Sequence, residues 1–207
     1  MEIIEAEAGQ ELNALTNRLP KWSGWLASLV LDKSGNHKGA DRTSKSIGNE
    51  TDLKLLLTLR SHADVIVTTG KTARSENYAA SRFAPITFLT KDPNSLKEIR
   101  AFREPGKFPN RVFGKENQQT LFRTLYDEFE AEGIDAVLYE GGPSLIANIL
   151  EQLGSLRLVL TIANLDDPAV ISPLKYLTGL GLCQANQEIL DDFAIGTNRV
   201  TCWLISR

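Results

Sequence analysis

The sequence predicts an α/β fold with a mostly parallel central sheet, helices on both faces and an antiparallel edge at its C-terminal end. Short apolar or β-branched runs alternate with helical patterns along most of the chain, which is typical of parallel sheets. Two late strand patterns, Glu188 to Phe193 and Val200 to Ile205, are joined around Gly196 and predict a hairpin. At 207 residues and 42% hydrophobic content the chain can bury one sizeable core. We therefore expect a single domain, residues 1–207, in which residues 1–23 form a peripheral segment.

Composition excludes several classes of function. The formal net charge of -3, with both signs interspersed, leaves no basic face for nucleic acid. The two cysteines, Cys183 and Cys202, lie far apart and outside any metal-ligand spacing, and His37 and His62 lie away from carboxylate clusters. We expect no metal site and a reducing compartment. No apolar run approaches the roughly 18 residues of a membrane span, so we expect a cytoplasmic protein without a membrane or nucleic-acid partner.

The first strong element is the β-rich stretch from Trp25 to Asp32, which leads into a polar, glycine-bearing loop. Ser28 and Asp32 are its candidate functional residues, although an aspartate here can also simply begin a turn. Asn49, followed three residues later by Asp52, is a capping signal for a helix that continues to His62. We expect the loop before that helix to face a ligand.

The next predicted strand, Asp64 to Thr68, runs into the polar stretch from Thr69 to Tyr78. This stretch, predicted as a loop, combines hydroxyls, two cations, a carboxylate and a glycine, which suits an anionic ligand at the edge of a sheet. Loops are polar in any case, so a loop without a ligand is the alternative. The following strand, Pro85 to Lys91, ends in a hydroxyl and a cation.

Further along, Arg111 to Phe113 predicts a short strand, and apolar residues at helical spacing predict a helix that stops near Gly133. Ala136 to Tyr139 is a buried strand that enters a helix through two glycines. The apolar run from Leu156 to Ala163 predicts a central strand.

The junction after Tyr139 is the most informative motif. Pro143 suits a first helical turn because it has no N–H to leave unpaired. The N–H groups at a helix start attract anions, and Gly141 and Gly142 would let a phosphate approach the backbone closely. The alternative is a strand-to-helix turn in which Gly-Gly serves geometry alone.

Three stretches together resemble the reductase domain at the C-terminus of the bifunctional deaminase–reductases of riboflavin biosynthesis. These are the segment from Trp25 to Asn49, the segment from Asp64 through the Pro85 strand, and the Tyr139 to Leu150 junction. The resemblance covers roughly Trp25 to Ala163 and implies a single-domain dihydrofolate reductase-like fold. Nothing matches the zinc signature of the deaminase half, so the resemblance implies a free-standing reductase.

The resemblance implies NADPH as the cofactor and a small, polar, phosphorylated molecule as the substrate. Hydride would pass to a C=N or C=O group, as in 5-amino-6-(5-phosphoribosylamino)uracil reductase. The implied cofactor-binding residues are Gly70, Thr72, Thr90, Lys91, Glu140, Gly141, Gly142 and Pro143. The implied substrate-binding residues are Ser28, Ser44 and Arg82.

For catalysis we expect a carboxyl group to supply the proton that follows hydride transfer, Glu76 first and Asp32 second. The resemblance also implies a homodimer formed through the late strands. Several positions depart from the family's pattern, among them Thr69, Lys71 and the separation of Asp32 from Gly35. These departures keep two alternatives open, a related reductase with another substrate and a non-catalytic nucleotide- or flavin-binding protein on the same fold.

Overall fold

The computed structural model describes residues 1–4, 11–19, 21–114 and 119–207. The described residues form one nine-stranded sheet in the order β1-β8-β9-β7-β2-β6-β3-β4-β5. All neighbouring strands run parallel except the β7–β9 and β8–β9 pairs, which are antiparallel. The strands are β1 (Glu2–Ile4), β2 (Gly24–Leu31), β3 (Val65–Thr69), β4 (Ile86–Thr90), β5 (Arg111–Gly114), β6 (Ala136–Tyr139), β7 (Ser155–Ile162), β8 (Asn186–Ile195) and β9 (Asn198–Ser206).

Helices cover both faces of this sheet, and an apolar core lies between the sheet and the helices on each face. The helices are α1 (Glu11–Arg18), α2 (Glu50–His62), α3 (Gly70–Ser75), α4 (Arg100–Arg103), α5 (Leu121–Ala131), α6 (Ile146–Leu153) and α7 (Leu174–Gly179). One core joins α5, α6 and α7 to the sheet around Trp25, whose ring packs edge-on against Phe122. The other core lies on the opposite face of the sheet, around Phe88 and Leu138, and includes residues of α1, α2, α3 and α4. None of the described helices is long and apolar enough to cross a membrane.

The predicted α/β fold with an antiparallel hairpin is confirmed, and its local signals can be traced. Asn49 caps α2, because its side-chain oxygen accepts a hydrogen bond from the backbone N–H of Asp52 at 3.0 Å. The strand predicted from Leu156 to Ala163 is β7, which lies between β2 and β9 in the sheet. Gly154 ends α6 in the left-handed conformation that glycine adopts at little cost.

Two segments differ from the sequence prediction. The stretch after β3 begins with a short helix, α3, because the Thr69 side chain caps it by accepting from the N–H of Thr72 at 3.1 Å. The N-terminal segment contains a strand that the sequence did not indicate, since β1 pairs in parallel with β8 at the edge of the sheet. Three residues are too short a run to stand out as a strand in a sequence.

Candidate active site

A cleft of about 640 Å³ opens at the carboxyl ends of the central strands. It forms because β6 is short: its last residue, Tyr139, pairs with Ala27, whereas β2 continues to Leu31 beside β7 alone. The gap beyond β6 is walled by the first turns of α2, by the end of α3 and by the glycine turn after β6. The residues that line it and carry polar side chains include Ser28, His37, Lys38, Ser44, Lys45, Asn49, Asp52, Arg60, Thr72, Glu76, Asn77, Tyr78, Arg100 and Glu140.

Asp52 places a carboxyl group in the wall of this cleft from the first turn of α2. Burial raises the pKa of the Asp52 carboxyl to about 6, and the nearby Thr161 hydroxyl offsets only part of this rise. No cationic side chain faces Asp52 closely enough to alter its pKa among the described residues. A carboxyl whose pKa lies near neutrality can hold a proton and also release it, as general acid catalysis requires.

Glu140 is a second cleft carboxylate with different surroundings. Arg60 grips it through two hydrogen bonds, Nε to Oε1 at 2.8 Å and Nη2 to Oε2 at 2.5 Å, and the Tyr78 hydroxyl donates to Oε2. Its side chain is only 5% exposed. Burial opposes the charge on Arg60, but the Glu140 carboxylate outweighs it and raises the pKa of the guanidinium. Both carboxylate oxygens of Glu140 therefore already accept hydrogen bonds within the protein, which indicates a structural role at the base of the cleft.

The glycine turn, Gly141 and Gly142, directly follows Glu140 in the chain. Gly142 has φ 85° and ψ 173°, a backbone conformation that side chains rarely allow. The Thr72 hydroxyl lies within hydrogen-bonding distance of the Gly141 carbonyl, at 2.9 Å, which ties α3 to the turn. The backbone N–H groups of Gly141 and Gly142 donate to no described residue. Two free donors and a positive helix end make a suitable cradle for an anion.

Two further predicted cofactor residues, Gly70 and Thr90, lie at the start of α3 and at the end of β4. A Cβ on Gly70 would come within 2.9 Å of the Thr90 side chain, so this glycine allows α3 to pack closely against the end of β4. The Thr90 hydroxyl accepts from the N–H of Asp92 at 3.1 Å, and Lys91 is exposed. The structure thus joins Thr72 to the glycine turn and packs Gly70 against Thr90.

The residues predicted to contact substrate divide into two groups. Ser28, Ser44 and Glu76 all line the cleft. Glu76 Oε1 accepts from the backbone N–H of Ser44 at 2.7 Å, so this carboxylate holds the loop that crosses the cleft. Arg82 does not line the cleft; it is exposed, and its guanidinium lies 4.8 Å from the ring of Phe83.

Asp32 also lies outside the residues that line the cleft. It begins a turn, the alternative that the sequence left open, and its carboxylate accepts three hydrogen bonds at 2.8 Å from Ser34 and Asn36. Burial opposes its charge, but these bonds outweigh that effect and lower the pKa of Asp32. A carboxyl with a lowered pKa is a poor proton donor at neutral pH.

Sequence reasoning missed Asp52 and Arg60 as site residues, although a signal was present. Asp52 precedes Leu55 by three residues and Arg60 follows Leu56 by four, so both share the face of α2 that turns toward the sheet. A charged residue on an inward helical face needs a partner or a ligand. Among the described residues, no group of three or more His, Cys, Asp or Glu side chains is arranged to hold a metal ion.

No protein-family model and no curated protein sequence matches this chain. Solved structures do match. A pyrimidine reductase-like protein from Corynebacterium diphtheriae has a TM-score of 0.66 and 18% identity, over 95% of this chain and 99% of that one. The deaminase/5-amino-6-(5-phosphoribosylamino)uracil reductase of Thermotoga maritima has a TM-score of 0.61 and 13% identity; 93% of this chain matches it but only 58% of that chain is covered.

Schistosoma mansoni dihydrofolate reductase also matches, with a TM-score of 0.53 and 14% identity, over 89% of this chain and 98% of that one. The chain therefore has the dihydrofolate reductase-like fold that it shares with the pyrimidine reductases.

Proposed function

We propose that this chain is an NADPH-dependent reductase that transfers hydride to a C=N or C=O group of a small, polar, phosphorylated substrate. The proposed substrate class is that of 5-amino-6-(5-phosphoribosylamino)uracil reductase. The observation that carries the proposal is the cleft itself, because Gly142 of the glycine turn and the Asp52 carboxyl, whose pKa is raised to about 6, both line it. Carboxyl groups with strongly shifted pKa values in clefts are concentrated at catalytic sites, which supports a reductase over a binding protein.

The residues around the glycine turn suit a dinucleotide. The free N–H groups of Gly141 and Gly142 would hold its phosphates, and a Cβ on Gly142 would have only Thr72 Oγ1 within 4 Å, at 3.7 Å, so there is open space for a ligand. Reduced nicotinamide supplies a hydride. Thr90 and Lys91 are proposed to bind the adenosine 2′-phosphate, which distinguishes NADPH from NADH.

The remaining chemistry belongs to the cleft side chains. Hydride addition leaves negative charge on the substrate's nitrogen or oxygen, and Asp52 is proposed to donate the proton that neutralises it. Glu76 holds Ser44 and its loop in place, which argues for a role in positioning substrate rather than in proton transfer. Arg60 and Tyr78 hold Glu140 as a rigid floor.

The test begins with purified protein and separate calorimetric titrations with NADPH and NADH. Ribosylaminopyrimidine phosphates are then screened for loss of absorbance at the nicotinamide band. NADPH binding with turnover supports the proposal. NADPH binding without turnover across the screen favours the non-catalytic alternative, and the absence of dinucleotide binding contradicts the proposed function.

The choice of cofactor has its own prediction. Lys91→Ala should weaken NADPH by about 1.5–3 kcal/mol, the range for a lost hydrogen bond to a charged group, and should leave NADH affinity nearly unchanged. Calorimetric titration of the variant with each cofactor measures this. Equal weakening of both cofactors contradicts the assignment of Lys91 to the 2′-phosphate.

We also propose that the chain forms a homodimer through its late strands. Among the described residues, β1 pairs only with residues 193–195 of β8, and Ile189 and Leu190, outside that paired segment, are 48% and 44% exposed. An exposed strand edge with apolar side chains favours pairing with another chain. Sedimentation equilibrium should give the mass of a dimer, and a monomer mass contradicts this proposal.

A further inference from the structure

Tyr139 carries a polar group that the proposed mechanism does not yet use. It is the last residue of β6, it is 1% exposed, and its ring packs edge-on against Phe122 with centroids 6.2 Å apart. Its hydroxyl is buried and has no hydrogen-bond partner among the described residues. Burial also raises the pKa of Tyr139, so the hydroxyl stays protonated and is available as a donor.

This hydroxyl lies directly at the glycine turn. A Cβ built on Gly141 would stand 2.5 Å from Tyr139 Oη and 2.6 Å from its Cζ. Position 141 must therefore be glycine, because the tyrosine occupies the space that any side chain would need. The end of the tyrosine and the backbone of Gly141 are in contact, with nothing between them.

Three donors without protein partners thus meet at one residue. They are the N–H of Gly141, the N–H of Gly142 in the next peptide, and the Tyr139 hydroxyl. A buried polar group without a partner costs stability, and such groups are rare enough in native proteins that each calls for an explanation. One acceptor bound at this turn would give all three donors a partner.

We propose that Tyr139 is a ligand-binding residue whose hydroxyl donates a hydrogen bond to the phosphate oxygen held by the Gly141 and Gly142 N–H groups. This inference rests on the proposed dinucleotide site and adds a side-chain donor to a cradle otherwise made of backbone. A hydroxyl hydrogen rotates about its C–O bond, so it can turn toward an oxyanion seated against Gly141. A hydrogen bond to a charged oxygen is stronger than one between neutral groups.

The experiment compares the wild-type chain with Tyr139→Phe, which removes one oxygen and preserves the ring. Calorimetric titrations with NADPH and with inorganic pyrophosphate measure binding, and denaturant unfolding of the same samples measures stability. The variant should bind both probes about tenfold more weakly, or worse. Its stability should stay the same or rise, because a buried hydroxyl without a partner has been removed. Tyr126→Phe, the same change at a partly buried tyrosine on α5, should alter neither quantity.

The outcomes separate this inference from the proposed function. Equal NADPH affinity in wild type and Tyr139→Phe means that the tyrosine only packs beneath the turn; it overturns the inference and leaves the function intact. Pyrophosphate binding that depends on Tyr139, without NADPH binding, supports the inference and overturns the cofactor. Binding of neither probe by wild type overturns both, and a clear loss of stability in Tyr139→Phe overturns the inference because it reveals an internal partner.

Discussion

Among the carboxyl groups that line the cleft, Asp52 on α2 and Glu140 after β6 have surroundings that assign them opposite roles. Glu140 is held by Arg60 and Tyr78, so its charge is neutralised inside the protein. Asp52 has no cation close enough to alter its pKa among the described residues, so burial dominates and raises the pKa of this carboxyl to about 6. Residue type alone does not make a catalytic acid. The partners that a carboxyl lacks matter as much as those that it has.

The largest expected effect concerns Glu140, the carboxylate that has partners within the protein. Arg60→Met removes the cation and leaves the Glu140 charge buried with only Tyr78, so the free energy of unfolding should fall by about 3–5 kcal/mol. Denaturant unfolding measures the loss. Arg111→Met is the matched control, because its pair with Glu132 is about two-fifths exposed on both sides, 41% and 42%, so its loss should be much smaller than that of Arg60→Met. Similar losses in both variants would remove the distinction between a buried brace and a surface pair.

The second prediction concerns Asp52, the carboxyl group that lacks a cationic partner. Asp52→Asn keeps the shape of the side chain but cannot donate a carboxyl proton, so kcat should fall about a hundredfold or more. Steady-state NADPH consumption with a substrate from the screen measures this. Glu76→Gln is the control, with an expected smaller effect that falls mainly on KM, since Glu76 holds the Ser44 loop. If Glu76→Gln loses a hundredfold in kcat and Asp52→Asn does not, the proton donor is Glu76, as the sequence first indicated.

The smallest expected effect concerns pH and stability. The pKa of Asp52 rises from 3.8 to about 6 on folding, so the folded state holds this proton more tightly than the unfolded state does. Its contribution to the free energy of unfolding is therefore greatest below about pH 4 and is lost as the pH rises through about 6. The expected loss is about 1–3 kcal/mol, which allows for partial exposure. Unfolding curves of wild type and Asp52→Asn between about pH 4 and about pH 7 should converge at the acidic end and diverge at neutral pH, with the variant more stable. Parallel curves would mean that Asp52 is not buried enough to titrate abnormally.

Much of the fold followed from local patterns. The Asn49 cap with its hydrogen bond to Asp52, the β-branched run predicted from Asp64 to Thr68 and the Gly-Gly-Pro junction are each short-range signals, and each element appears within one residue of its signal. The prediction failed where the signal was short or weak. α3 depends on one side-chain cap at Thr69, and β1 depends on a partner strand about 190 residues away.

The sequence by itself determined the α/β class, the antiparallel hairpin near the C-terminus and the glycine turn, because periodicity, β-branching and glycine act on neighbouring residues. Only the tertiary structure decided which side chains share the cleft. It placed Asp52 and Glu76 in the cleft wall, left Asp32 and Arg82 outside it, and paired Arg60 with Glu140 across 80 residues of chain. These outcomes depend on where β6 ends relative to β2 and on what surrounds each charge, and burial and partners are properties of the folded chain that no local pattern contains.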